Sequence, residues 1–554
     1  MKAANTTRNL ARIKHLGPSE IFLIANGNLK HYTNRNGWAA QQDMEAKLQK
    51  AFAQEGRTLV RAHEYSEELG HGFIWNQRMG LDIFSKIDPR SPIIIAAGIW
   101  QFSQNILSGL RNHKGPILTI GNWSGRFPGL VGLLNLNGSM VKANVPYSTI
   151  WSETFDDDFF RQGIHEWIAS GKIAHEVLYP RAIREYSLPA KEMELGKSLA
   201  KDLLFDKPII GVFDEGCMGM YNAIIDDEYL HKIGIYKERL SQSGLLAEMK
   251  LVGDDEAISI RKWLEARGMK FITGPDEATD LTDAQILGQC KMYIAAVRIA
   301  DYYGCESIGI QYSTGLKDMA PASDLAEGLM NNPDRPPVYG LDSLRILYPD
   351  NPLPHFNEAD EGAAIDMVVN KRVWDALGLD PSTTLHDVRW GANYRDAEID
   401  DFVWVFLISG AVPASHFAEG YAEAVSVRQP PTSFSQGGGT LKGLSKPGEI
   451  VWSRVFIKEN KLCVDIGRGR SVKLSPDEVE RRWQGTTPQW PTMNAILYGV
   501  TRDQFMARHC SNHIIVTYAP SPELADKALA IKATMMQRMG IRVYICGDVP
   551  FQKL

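Results

Sequence analysis

Short apolar runs alternate with segments of helical period along the chain, the pattern of α/β layers built on parallel sheets. The runs Ile93-Ile94-Ile95-Ala96-Ala97-Gly98, Pro116-Ile117-Leu118-Thr119-Ile120 and Ile209-Ile210-Gly211-Val212-Phe213 predict strands. Continuous β-branched runs of this kind suit strands covered on both faces. Thr282 and Gln285 have capping-box spacing, and Ile286, Cys290, Ile294 and Val297 then recur on one helical face. Gly304 stops that helix, and Ser307-Ile308-Gly309-Ile310 follows as a strand. Gln311 therefore stands at a strand's carboxyl end, where open α/β sheets bind their ligands.

The last third changes character. Ile450 to Ile457 and Leu462 to Ile466 flank the polar loop Lys458-Glu459-Asn460-Lys461, which predicts a hairpin and antiparallel sheet. A strand–helix–strand unit spans Ile514 to Cys546, with Gly540 closing its helix. Gln429-Pro430-Pro431 and Gln436-Gly437-Gly438-Gly439 read as joints, the glycines as a flexible one. Together these signals predict an α/β domain over residues 1–200, a second over 201–375, and a mixed α+β domain over 376–554.

Composition narrows the class. The 554 residues are 44% hydrophobic and 23% charged, as in ordinary globular proteins. A formal net charge of −6 argues against an electrostatic nucleic-acid binder. The six cysteines, at positions 217, 290, 305, 463, 510 and 546, form no CxxC pair and read as free thiols in a reducing compartment. Met1 to His15 holds no apolar run of the signal-peptide kind, and no stretch has the length of a membrane span, so a cytoplasmic location is expected.

Candidate chemistry lies in three places. Asn357-Glu358-Ala359-Asp360-Glu361-Gly362 is dense in carboxylates, Leu385-His386-Asp387-Val388-Arg389-Trp390 carries another, and Met506 to His513 supplies histidines. Two carboxylates and an imidazole would make an oxygen-rich site for Mn²⁺ or Mg²⁺. The same acidic run also suits a solvated loop, or a helix N-terminus favoured by Asp360 or Glu361. His509 and His513 have the i, i+4 spacing of zinc hydrolases, but His513 runs into Ile514-Ile515-Val516-Thr517-Tyr518, which predicts a strand and argues against a two-histidine zinc site. Gly121 to Gly129 follows a strand but is neither a Walker loop nor GxGxxG, and reads as a strand-to-helix turn. No GxSxG nucleophile elbow occurs.

At these residues the chain resembles the L-fucose isomerase family, over almost its whole length. Gly309, Gln311, Asp318, Pro321, Asp324, Ala326 and Glu327 follow the order of a family segment. Glu358-Ala359-Asp360 is similar to its metal-site E-N-D, and His386-Asp387-Val388-Arg389 to its A-D-V-R. Gly437-Gly438-Gly439 resembles its GGG turn, Gln489-Trp490-Pro491-Thr492 its T-W-P-T, Ser511-Asn512-His513 its A-N-H, and Gly216 to Met220 its V-S-M-G-I.

The resemblance implies two N-terminal Rossmann-like α/β domains with parallel sheets, then a C-terminal mixed domain with an antiparallel sheet or barrel. It implies a metal-dependent aldose–ketose isomerase in which Glu358, Asp387 and His513 hold a divalent cation, Mn²⁺ or another. Gln311, Trp100, Trp490 and Asn512 would line the sugar site. Glu358 and Asp387 would share the proton transfer between C1 and C2, and which of them takes the proton is left open. Self-association as a hexamer or trimer is also implied, with a neighbour's first domain helping to cover each site. Other readings are a non-catalytic sugar-binding relative and a metal-dependent hydrolase or lyase using the same carboxylates.

The chain departs from the family pattern at three points. Thr440 replaces the aromatic residue after GGG, Arg508 and His509 replace neutral residues, and His31 to Gln41 only loosely follows the family's Arg-bearing first loop. Arg508 would suit a sugar with an anionic far end, a carboxylate, sulfonate or phosphate. Its alternative is a surface arginine outside the pocket.

Overall fold

The computed structural model describes residues 13–341 and 344–554. The chain divides into two compact units, the first ending at Ala174 and the second running from His175 to Leu554. It is a mixed α/β protein, with purely parallel sheets and one large, mainly antiparallel sheet.

In the first unit, strands Glu20–Ile24, Thr58–Arg61, Ile93–Ala97, Ile117–Asn122 and Ser148–Ser152 form one parallel sheet. Across it the second strand in chain order comes first, then the first, third, fourth and fifth. Ile93, Ile94 and Ile95 are fully buried because helices cover both faces, as an unbroken β-branched run requires. Leu48 and Phe52 of helix His31–Gln54 pack with Phe160 and Trp167 of helix Asp158–Ser170 over Ile94, Leu118 and Ile150. The glycine-bearing loop after Asn122 leads into helix Gly129–Lys142, so it is a strand-to-helix turn.

The second unit carries a three-stranded parallel sheet, ordered Cys305–Ile310, Ile209–Phe213, Tyr236–Leu240. Helix Asp283–Tyr302 leads into its Cys305–Ile310 strand. Thr282 and Gln285 form the reciprocal capping box, Ile286, Cys290, Ile294 and Val297 are buried, and Gly304 adopts φ +65° just beyond the helix.

Six antiparallel strands then close into a ring: Gly448–Lys458, His513–Ala519, Thr383–Arg395, Asp400–Leu407, Thr492–Leu497, Lys461–Ser471, and back to Gly448–Lys458. The two eleven-residue strands of the hairpin turn on Glu459 and Asn460, both at positive φ, which matches the right-handed strand twist. Strand Arg542–Cys546 joins the ring in parallel, and Pro180–Ala182 pairs with it, so the chain just after Ala174 belongs to this sheet.

The triglycine is not a flexible joint. Gly438 and Gly439 donate to the Gln285 and Gln289 side chains, and a Cβ on Gly438 would stand 2.8 Å from Gln289 Nε2. Glycine is needed there because the turn, at φ +92°, is pressed onto a helix. Cys290, Cys305, Cys463, Cys510 and Cys546 are free and buried. Among the described residues no helix is long and apolar enough to cross a membrane.

Helices Glu361–Ala376 and Pro522–Arg538 pack against the ring. Between them Lys532 and Asp366 form a fully buried ion pair, and Lys532 also donates to Ser453 Oγ at 2.5 Å, one residue before Arg454. Removing one partner of such a pair leaves an uncompensated charge. Lys532→Met should therefore lower unfolding stability in urea by about 3–5 kcal/mol. Lys532→Met combined with Asp366→Leu should recover most of that loss. Equal losses in the single and double variants would show that the pairing is not the cause.

Candidate metal centre and active site

Three separate stretches of the second unit deliver the carboxylates and the imidazole. The segment after Pro354 runs parallel to strand Cys305–Ile310: Ile308 N–H donates to Pro354 O and Phe356 N–H to Ile308 O, both at 3.0 Å. This close approach requires Gly309, since a Cβ there would lie 2.1 Å from the Phe356 ring. Gln311 and Glu358 thus both leave the same carboxyl edge, as the sequence predicts for Gln311. Glu358 and Ala359 then take left-handed conformations, φ +57° and +54°. Such backbone costs about 1–2 kcal/mol per non-glycine residue, so surrounding contacts must hold it.

Asp360 follows and begins helix Glu361–Ala376, its Oδ1 accepting from Ala363 N–H at 3.0 Å. The helix-start alternative for this acidic run is therefore real for Asp360, and the solvated-loop alternative is not, since Asp360 and Glu361 are buried. Glu361 binds Lys237 and the Ile225 N–H, at 2.8 and 2.6 Å. The second oxygen of Asp360 accepts from Arg454 Nη1 at 2.5 Å and meets His513 Nδ1 at 2.7 Å.

Asp387 and His513 are separated by over a hundred residues in the chain, yet they face each other directly in the antiparallel pairing of Thr383–Arg395 with His513–Ala519. His513 Nε2 lies 3.5 Å from Glu358 Oε2 and 3.5 Å from Asp387 Oδ1, and this fully buried nitrogen has no hydrogen-bond partner. Asn512 Nδ2 donates to Asp387 Oδ1 at 3.1 Å, while its own Oδ1 is buried and unpartnered.

The electrostatics follow from burial. Burial alone would depress the His513 imidazole, but Asp360, Glu358 and Asp387 hold it up at about 9. Burial pushes the Asp387 carboxyl up to about 6, with His513 opposing and Glu358 adding to the shift. Asp360 goes the other way: against burial, Arg454 and His513 keep it well below the usual carboxylate range. Positive charge beside Nε2 is thus what the two facing carboxylates require.

The donor set tests well for a hard divalent cation: two carboxylates, and an imidazole whose Nδ1 is engaged by a carboxylate while Nε2 is left unpartnered. The donors meet pairwise at His513. Among the described residues no group of three or more His, Cys, Asp or Glu side chains stands closed around an ion position.

Of the residues implied for sugar binding, Gln311 is buried, its Oε1 accepting from Thr314 N–H and Oγ1 at 3.2 and 2.7 Å, which leaves Nε2 as the donor end. Trp490 is half-buried, its Nε1 donating to Gln429 Oε1 at 2.7 Å. Trp100 belongs to the first unit, where it follows strand Ile93–Ala97, buried and with Nε1 unpartnered. Thr440 is buried with an unpartnered hydroxyl.

Arg508 and His509 do not join the site. The Arg508 fork is taken by Asp465 at 3.0 and 2.8 Å and stacks over Tyr544, so the anionic-substrate role drawn on Arg508 is withdrawn. His509 meets the main-chain oxygen of His513 at 2.9 Å and stacks on Phe505, bracing the His513 backbone rather than presenting a second imidazole to the site.

Sequence reasoning missed Arg454 and Gln429. An arginine in the middle of Ile450 to Ile457 was the available signal, because a charge inside an apolar strand needs a buried partner. Gln429, whose Nε2 donates to Asp324 Oδ2 at 3.0 Å, gave no signal beyond its place before two prolines.

No protein-family model matches the sequence, and no curated protein matches it. The functional reading therefore stands on these residues.

Asp360 orients the imidazole. Asp360→Asn should weaken Mn²⁺ binding by about ten- to a hundredfold, the usual effect of losing a carboxylate behind a ligand histidine. Competition against a chelating dye measures this, and unchanged affinity would show that the Asp360 contact does not serve the ligand.

Proposed function

We propose that the protein is a sugar ketol-isomerase of the fucose/arabinose isomerase kind, acting on an open-chain sugar. The observation that carries this reading is the meeting of the Glu358 and Asp387 carboxylates on the unpartnered Nε2 of His513. The ordered run of motifs from Gln311 to His513 supports it.

Glu358, Asp387 and His513 would hold the divalent cation, Mn²⁺ or another. When bound, it supplies Lewis acidity toward the carbonyl and neighbouring hydroxyl of the sugar. The remaining chemistry belongs to the chain. One of the two carboxylates takes the C2 proton of the aldose and returns it to C1, through a cis-enediol, while a hydroxyl proton passes between O2 and O1. No electrons leave the substrate, so no nicotinamide is required. A carboxylate held beside the reacting carbons can give and take that proton. The unpartnered Oδ1 of Asn512 and the Nε2 of Gln311 offer an acceptor and a donor for sugar hydroxyls, and Trp490 offers a flat face.

The finer architecture that goes with this reading is two Rossmann-like domains, 1–200 and 201–375, ahead of a C-terminal barrel domain, 376–554. A cytoplasmic, self-associating enzyme, a hexamer or trimer, completes it, with Trp100 contributing to sugar contacts.

The test is an isomerisation screen over pentoses, 6-deoxyhexoses and acidic sugars with Mn²⁺ added. Aldose-to-ketose turnover that disappears on chelation is expected, and a metal-loaded protein inert across the panel would favour the sugar-binding alternative. At saturating Mn²⁺, Glu358→Gln and Asp387→Asn should each lower turnover by a factor of about 10² or more, the scale of general acid–base groups. Full turnover in either variant would place the base elsewhere.

A further inference from the structure

The Trp490 loop also borders a cleft of about 350 Å³, whose walls include Thr273, Thr279, Asp280, Arg428, Lys442 and Gln489. Two cations line it, and among the described residues no carboxylate pairs with either. Arg428 is buried, and its Nη1 donates to two main-chain oxygens, those of Gln429 and Phe434, at 2.8 and 2.9 Å, while Nε has no partner. The guanidinium is thus held in place by dipoles and keeps its full charge. The Lys442 ammonium lies 4.8 Å from the centre of the Trp483 ring, and its backbone pairs with Val425. The one carboxylate in the cleft, Asp280, is turned to its own loop and accepts from Asp276 N–H and Thr279 Oγ1 at 3.1 and 3.3 Å.

A desolvated cation without an ion-pair partner is unfavourable. Burial pushes both Arg428 and Lys442 below their ordinary values, and at Lys442 the charge of Glu480 opposes the shift without cancelling it. A preset guanidinium and an ammonium, with the Thr273 hydroxyl on the rim, form a set of donors suited to an oxyanion.

We propose that this cleft binds an oxyanion, a carboxylate, sulfonate or phosphate, between Arg428 and Lys442. Two sources share that chemistry: the far end of the sugar, if the isomerase reading holds, or a free anion. The cleft and the sugar platform have a common wall. Gln489 precedes Trp490, and Arg428 precedes Gln429, which accepts from the Trp490 indole.

The experiment is calorimetric titration of the full chain with inorganic phosphate, without sugar or turnover. Saturable binding is expected, weakened by about tenfold or more in Lys442→Gln and restored in Lys442→Arg, the scale of one charge-assisted contact. Trp483 emission should respond to phosphate in the wild type. Arg428→Gln should weaken binding likewise, but its contacts also brace a loop, so the Lys442 pair of variants decides. No saturable binding, or equal affinity in wild type and Lys442→Gln, overturns the proposal. Binding is read without catalysis, so failure of the isomerase reading is seen separately, as absence of turnover. An aldopentose and its 5-phosphate then separate the sources. Loss of kcat/KM for the phosphorylated sugar alone in Lys442→Gln assigns the site to the substrate's end, and phosphate binding with no such selectivity assigns it to a free anion.

Discussion

Asp360 starts a helix with both carboxylate oxygens committed: Oδ1 caps Ala363, and Oδ2 faces Arg454 and His513, with all three side chains buried. An isolated carboxylate in such a place would be strongly unfavourable, and so would the arginine. Each makes the other tolerable, and together they leave the imidazole one orientation. With Nδ1 turned to Asp360, Nε2 can only face Glu358 and Asp387. The helix start, the ring strand carrying Arg454 and the strand beginning at His513 are tied at one atom.

Two further constraints bring the carboxylates to that nitrogen. Register does it for Asp387: a slip of one residue in its pairing with His513 would turn its side chain to the opposite face of the sheet. Backbone conformation does it for Glu358, through two consecutive left-handed residues that neither glycine nor asparagine eases. Strain of this kind persists only where the surroundings over-determine it. Here Phe356 is bonded to Ile308 on one side of the turn, and Asp360 is locked to Arg454 on the other.

The cations near these groups show how little chain proximity says about direction. Arg508 stands five residues from His513, yet its guanidinium is consumed by Asp465. Arg428 and Lys442 carry no motif, yet the fold sets them into one cleft beside the Trp490 loop, where the one carboxylate, Asp280, is turned to its own loop. A charge is usable only when no nearer partner has claimed it, and that depends on which strands become neighbours.

Local periodicity was enough to read the parallel strands, the Thr282–Gln285 capped helix and the Glu459-Asn460 hairpin, because each depends on residues within one or two turns of chain. The same holds for Gln311 at a strand's end, whereas Glu358, Asp387 and His513 were marked as a set only by the resemblance of their motifs and the order of those motifs. Closure of six strands into a ring was offered, beside an open sheet, only by the family resemblance and by no local pattern; the direct pairing of Asp387 with His513, the Arg454 counter-charge and the packing of Gly437-Gly438-Gly439 onto Gln285 and Gln289 were not legible. Each joins residues far apart in the chain. Their energies come from burial and charge pairing that exist only once distant elements meet, so tertiary structure alone decided them.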